Sequence, residues 1–322
     1  MRRHPKQSIA RQKANVPAGC FAVFGCGVRS PARLAAAVWI CLCLTHGTAL
    51  GESEARIWVP DQFCRPGQKV WVEAHLYRKG WLSAFSSGVR GELLRFHDAS
   101  GGLVAERLTD ASGLARIPLT AGRSGKESIT VGLAETPRLR ADPAGGTVFI
   151  QRPSLPLLFV EVEGALTPRS ALPAPLRQWT TTVEPPLPDS RETLKKLSAG
   201  FDLVYLSATS RPSAWQVRKW LDDHDFPQAP LLLLDTAPGA TPSGGAPPGA
   251  EIVETLSQER DRPAYLVTGD PAAAEASARK GIKTYLFSEP AGTPTPTAEE
   301  ASKERHPDVE KLAGWDSFEP HP

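Results

Sequence analysis

Beyond residue 51 the chain holds a single cysteine, Cys64, so no disulfide can form within that region, and the residue suits a small buried apolar position better than a reactive thiol. Acidic residues are missing from the first 51 positions, which carry seven basic ones: Arg2, Arg3, Lys6, Arg11, Lys13, Arg29 and Arg33. Long apolar runs are missing as well. The run Leu34 to Leu44 covers 11 residues, well short of the ~20 that a membrane-spanning helix needs. A basic stretch, a short apolar core and the small residues up to Gly51 together predict a secretory signal over residues 1–51. The chain is then expected to be secreted or periplasmic. The alternative is an anchor through residues 34–51, and membrane association is expected only if the signal stays uncleaved. Without residues 1–51 the 37 basic residues fall by seven to 30 against 35 acidic ones, a net charge of −5. The basic balance of the full chain therefore belongs to the signal, and no nucleic-acid partner is expected.

At 322 residues, with 41% apolar and 22% charged residues, the sequence has room for two globular domains. Thirty-one prolines and 27 glycines predict modest helix content. Residues 52–152 read as short alternating strands. In Lys69 to Tyr77 the residues Val70, Val72, Ala74 and Leu76 share one face, while Trp71, Glu73, His75 and Tyr77 share the other. Similar runs at 91–96, 103–108, 114–119, 128–133 and 147–151 are separated by turn chemistry such as Asp98-Ala-Ser-Gly-Gly102 and Asp110-Ala-Ser-Gly113. This spacing predicts an all-β sandwich. Pro66-Gly67 and Thr109-Asp110-Ala-Ser-Gly113 before strands resemble secreted bacterial immunoglobulin-like modules. His75 and His97 lack ligand spacing and are expected at the surface or an edge.

Residues 153–288 alternate between strand and helix, which predicts an α/β domain with a parallel sheet. Strands are expected at 155–161, 201–206, 230–235, 264–268 and 282–287, with helices from about Pro212 to Asp225 and from Ala272 to Lys280. The stretch 237–249 reads as a loop, and the Pro-rich, charged tail 289–322 as disordered. The first of these strands ends in Glu161-Val162-Glu163-Gly164. Two carboxylates at i and i+2 of a strand point to one face, at the end of the sheet where ligands bind in open α/β folds.

Glu161-Val162-Glu163-Gly164-Ala165-Leu166-Thr167 resembles the first motif of the haloacid dehalogenase (HAD) superfamily, Asp-x-Asp-Gly-Thr-Leu-Thr, with both aspartates replaced by glutamates. Tyr205-Leu206-Ser207 is similar to the second motif of that family. Trp220-Leu-Asp-Asp-His-Asp-Phe-Pro227 followed by Pro230-Leu-Leu-Leu-Leu-Asp235 is similar to its lipin-like phosphatidate-phosphatase branch, and Val267-Thr-Gly-Asp270 to the start of the fourth motif. The resemblance implies a HAD-like, Rossmannoid fold. It assigns Glu161 to the nucleophile position and Glu163 to the acid/base position. Ser207 falls at the phosphate-binding hydroxyl, and Glu161, Asp270 and Glu275 fall at the Mg²⁺ ligands. Two departures weigh against chemistry. Each glutamate adds a methylene on a fixed strand, and a misplacement of ~1 Å can cost about 100-fold. Lysine, which the family's third motif requires, is absent between Lys219 and Lys280, with only Arg260 and Arg262 in the neighbourhood.

The expectation is an immunoglobulin-like β-sandwich followed by a HAD-like α/β domain with a decayed active site. It serves non-catalytic binding or scaffolding of a protein or of a phosphorylated or lipid ligand, and no cofactor is needed. The alternative is an Mg²⁺-dependent phosphatase using Glu161 and Glu163.

Overall fold

Alternation along the chain builds the first half. In the strand Lys69–Arg78 the side chains of Val72, Ala74 and Leu76 are buried, while Trp71 is 51% exposed. That is the period of two required of a strand with one core face. The computed structural model describes residues 53–78, 87–123, 125–168, 184–209, 211–234, 253, 263–287 and 307–320. The expected signal and anchor at 1–51, the loop at 237–249, Arg260, Arg262 and residues 289–306 of the tail lie outside these. Residues 52–322 group as one unit.

Among the described residues nine strands make up this half: β1 (Ser53–Trp58), β2 (Gln62–Cys64), β3 (Lys69–Arg78), β4 (Leu93–His97), β5 (Leu103–Leu108), β6 (Leu114–Thr120), β7 (Gly125–Leu133), β8 (Leu139–Arg140) and β9 (Ala144–Ile150). They form a four-stranded sheet in the order β6-β3-β1-β8 and a five-stranded sheet in the order β2-β9-β7-β4-β5. Ile57, Leu76 and Ile117 of the first sheet share one core with Leu94, Phe96 and Val148 of the second. Each such side chain contributes about 1.5–3 kcal/mol by leaving water. Cys64 is buried in the same core.

Two matching turns follow β4 and β5, the first closing the β4–β5 hairpin and the second carrying the chain from one sheet to the other. The carboxylates of Asp98 and Asp110 each accept from a serine hydroxyl two residues on, at 2.6 Å, and from backbone N–H groups two and four residues on. These bonds, led by the serine hydroxyls, hold both carboxyls below the usual carboxylate range. His75 departs from expectation. It is 4% exposed, with its ring 5.5 Å from that of Trp58 and 5.8 Å from that of Tyr77. Trp58, the cross-strand partner on β1, and Tyr77, two residues on along β3, flank the imidazole and cover it. His97 stays at the surface, its Nδ1 3.2 Å from the Gly101 carbonyl. Strands β2 and β8 span three and two residues, too few for alternation to register in the sequence.

The second half alternates: β10 (Leu157–Glu161), α1 (Ser190–Leu197), β11 (Asp202–Ser207), α2 (Ala214–Asp223), β12 (Leu231–Leu233), β13 (Ala264–Thr268), α3 (Pro271–Ala278), β14 (Lys283–Phe287) and β15 (Val309–Leu312). All pairings are parallel, in the order β12-β11-β10-β13-β14-β15. Strand β10 is therefore central and buried on both faces. Leu158 and Val160 meet Leu194 of α1 and Val217, Trp220 and Leu221 of α2 on one side, while Leu157 and Phe159 face the other. Successive strands run outward from β10 in one direction and then, from β13, in the other. The reversal point lies between β10 and β13. Among the described residues no helix is long and apolar enough to cross a membrane.

The tail corrects an expectation. Residues 307–320, read as part of a disordered segment, add the sixth strand β15 and bury Trp315 and Phe318. Val309–Leu312 is an edge strand whose Glu310 and Lys311 are exposed while Leu312 is buried, so its charge hid its single apolar contact face.

The two halves meet through charged and aromatic groups. Asp61, next to β2, pairs with Arg218 on α2 and accepts the Leu231 N–H at 3.1 Å. Arg218 also donates to the Ala229 carbonyl at 2.9 Å. The guanidinium of Arg56 lies 3.7 Å above the Trp215 ring. Arg152, in the connecting segment, bonds Asp202 through its Nε at 2.7 Å and its backbone N–H at 2.8 Å.

Candidate functional site

Strands β10, β11 and β13 end side by side, and their last residues are Glu161, Ser207 and Thr268. Ligands of open α/β sheets bind outside these carboxyl ends, where the strand order reverses. Glu161 and Thr268 stand on either side of that reversal. The Thr268 hydroxyl donates to the Glu161 carboxylate and accepts the Asp270 N–H at 2.9 Å.

The strand does not continue to Glu163, contrary to the expectation that both glutamates share one face. The chain turns over Val162–Leu166, with Gly164 at φ +90°. The turn carries Glu163 toward β11, where its Oε1 accepts the Ser207 hydroxyl at 2.6 Å and its Oε2 accepts the Ala208 N–H at 3.1 Å. The two carboxylates therefore part, Glu161 toward β13 and Glu163 toward β11. Period-two reasoning fails here because the strand ends at Glu161.

Two glycines make the turn feasible. A Cβ on Gly269 would lie 2.6 Å from the Gly164 carbonyl oxygen, so the turns after β10 and β13 touch backbone to backbone. Gly164 itself needs the left-handed conformation that other residues rarely adopt. Trp315 holds the turn from the far side, donating its indole N–H to the Ala165 carbonyl at 2.7 Å. Sequence reasoning missed Trp315, which follows a short charged strand, and it missed Thr268. The signals for Thr268 were its place at the end of an apolar run and within Val267-Thr-Gly-Asp270, and neither gave it a role.

Asp270 stands at the N-terminus of α3, its carboxylate accepting the Ala272 N–H at 3.1 Å. Glu275 lies on the exposed face of the same helix and pairs with Arg279 at 3.1 Å. The expected metal set of Glu161, Asp270 and Glu275 is thus not gathered. Among the described residues no three His, Cys, Asp or Glu side chains are grouped to hold a metal ion. The donor set does not fit Mg²⁺, because Glu275 is turned outward by helix geometry and Glu161 and Asp270 are engaged with protein donors. What the edge can do is accept and donate hydrogen bonds: the carboxylates of Glu161 and Glu163 and the hydroxyls of Ser207 and Thr268 meet there in two pairs.

No family model matches the chain, and no curated protein matches it. Solved structures similar to parts of it include hydrolases and surface β-domains. One is the D,D-heptose 1,7-bisphosphate phosphatase of B. bronchiseptica complexed with magnesium and phosphate, at 15% identity over 41% of this chain and 80% of that one, with a TM-score of 0.31. A second is a dehalogenase, at 13% identity over 52% of this chain and 96% of that one, with a TM-score of 0.34. A third is the D00–D0 domain of intimin, at 16% identity over 33% of this chain and 51% of that one, with a TM-score of 0.23. The chain thus matches about half of the intimin segment.

Proposed function

We propose that the parallel-sheet half is a HAD-like domain that has lost phosphoryl transfer and works as a binding or scaffolding unit, carried on an immunoglobulin-like module of a secreted or periplasmic protein. The observation that carries this reading is the pairing of Glu163 with Ser207 and Ala208. By the motif resemblance, the Ser207 hydroxyl and the N–H beside it would grip a phosphate. Here the protein's own carboxylate takes both donors, and an anion of the same charge is excluded from that place. The extra methylene of a glutamate supplies the reach. A second support is the engagement of Glu161 with Thr268: a carboxylate held by a hydroxyl on the neighbouring strand is not aimed for in-line attack. The scaffold then serves a protein partner, or a phosphorylated or lipid ligand held elsewhere on the domain.

The test is a titration of Mg²⁺ into the purified protein by calorimetry, with a generic phosphatase assay alongside, each repeated on Glu161→Gln. The expected result is no metal-dependent turnover in either protein. Metal-dependent turnover that Glu161→Gln abolishes would overturn the reading in favour of a phosphatase with Glu161 as nucleophile and Glu163 as acid/base.

A further inference from the structure

At the opposite edge of the parallel sheet, a cleft of about 470 Å³ lies between the sandwich and the amino ends of β11 and β12. Its position is set by elements already described. Lys126 and Phe149 come from β7 and β9 of the sandwich. Arg152 comes from the connecting segment, Lys195 from α1, Asp202 from the first residue of β11, and Gln228 from the turn before β12. From Asp202 to Ser207 the strand rises about 16 Å, so the cleft is remote from Glu161 and Glu163. A volume of this size is that of a small-molecule site.

The charges in the cleft are unequal. Arg152 is matched by Asp202 at 2.7 Å, and Lys195 by Asp225. Among the described residues Lys126 is matched by no carboxylate. Among the described residues its amine has one hydrogen-bond partner, the neutral Gln228 Oε1 at 3.1 Å, and it sits 5.5 Å from the centre of the Phe149 ring. Burial, followed by the positive charges of Arg218 and Arg152, holds its pKa below the ordinary lysine value. Partial desolvation beside like charges is a cost that a bound anion would remove. With Arg152 and Lys195 each answered by a carboxylate, the charge of Lys126 is left over in a cleft walled by aromatic rings, which matches the chemistry of a small organic anion.

We propose that this cleft is a binding site for a small organic anion. Its oxyanion head is held by Lys126 with Arg152 and Lys195 on either side, and its apolar body lies along Phe149. The site is independent of the reading of the Glu161–Glu163 edge and stands whether or not that edge is catalytic.

The probe is phenylphosphonate, a non-hydrolysable oxyanion with a flat apolar body, titrated into the purified protein by calorimetry with inorganic phosphate in a parallel arm. Backbone amide shifts report where it binds. The expected result is one saturable site with a Kd of roughly 1 mM or tighter, and at least about tenfold weaker binding of inorganic phosphate, which lacks the apolar body. Amide shifts are expected at Lys126, Phe149 and Gln228, with none at Ser207 and Ala208. Lys126→Met, an exposed position whose change leaves the core intact, should weaken phenylphosphonate at least about tenfold. Absence of saturable binding, unchanged affinity in Lys126→Met, equal affinity for inorganic phosphate, or shifts confined to Ser207 and Ala208 would each overturn the proposal.

Discussion

The carboxyl edge of the parallel sheet and the joint with the sandwich both gather acidic side chains, and they hold them by different means. At the joint, Asp61 and Asp202 face the guanidinium groups of Arg218 and Arg152. At the edge, Glu161 and Glu163 receive hydroxyl and amide donors from the strands beside them. Guanidinium pairs are directional and strong when sheltered from water, but each partner becomes a liability if left alone. Hydroxyl donors are weaker, and they can reorient. The joint is therefore built to fix two halves in place, while the edge is built to keep two carboxylates occupied.

The largest expected effect lies at the joint. Arg218→Met strands the Asp61 carboxylate, whose side chain is 10% exposed, and should lower unfolding stability by about 3 kcal/mol in a urea titration. Asp61→Leu combined with Arg218→Met should recover most of that loss. If the single and double variants are equally stable to the parent, the pair contributes nothing and the contrast with the edge disappears.

A smaller effect is expected at the edge. Glu163→Gln keeps an acceptor for the Ala208 N–H and lets Ser207 rotate, so it should cost about 1 kcal/mol or less. Glu163→Ala, by freeing both donors, should admit inorganic phosphate in the same calorimetric assay. A loss from Glu163→Gln as large as that from Arg218→Met would show that the edge, too, depends on full charge.

The smallest effect separates both regions from carboxylates in open water. Asp98 and Asp110 have folded-state pKa values below the unfolded carboxylate value. Their stabilisation is fully present above the unfolded pKa of about 3.9 and fades as pH falls through the lowered folded values. The double variant Asp98→Asn, Asp110→Asn should therefore flatten the acid limb of the stability profile and lower the neutral plateau by a small amount that does not vary with pH. Identical acid limbs would place the titrating groups elsewhere, in the joint or at the edge.

Much of this arrangement could be read from residue order. The alternation in Lys69–Arg78 and the apolar runs ending at Glu161, Ser207 and Thr268 each report one strand, and together they imply a parallel sheet with its functional residues along one edge. What stayed hidden depends on contacts distant in sequence. Glu163 swings toward Ser207 because the strand stops two residues earlier and Gly164 meets Gly269, and neither fact is local. Trp315 pins a turn 150 positions upstream. Helix α1, eight residues with Leu194 as the one buried apolar side chain, was not anticipated. The cleft beside Lys126 draws its walls from both halves, so no single segment announces it.

Asp61 has one more consequence. Strand β12 is the last in its sheet, and the Pro230 carbonyl points inward to Tyr205, so the next amide, that of Leu231, points outward. An outward amide on a terminal strand is a template on which a strand of another molecule can add. Asp61 covers that amide with a carboxylate borrowed from the sandwich. The module in front of the parallel sheet therefore does more than space it: it guards an open rim against aggregation, and a chain stripped of that guard is expected to scatter light as it assembles through β12.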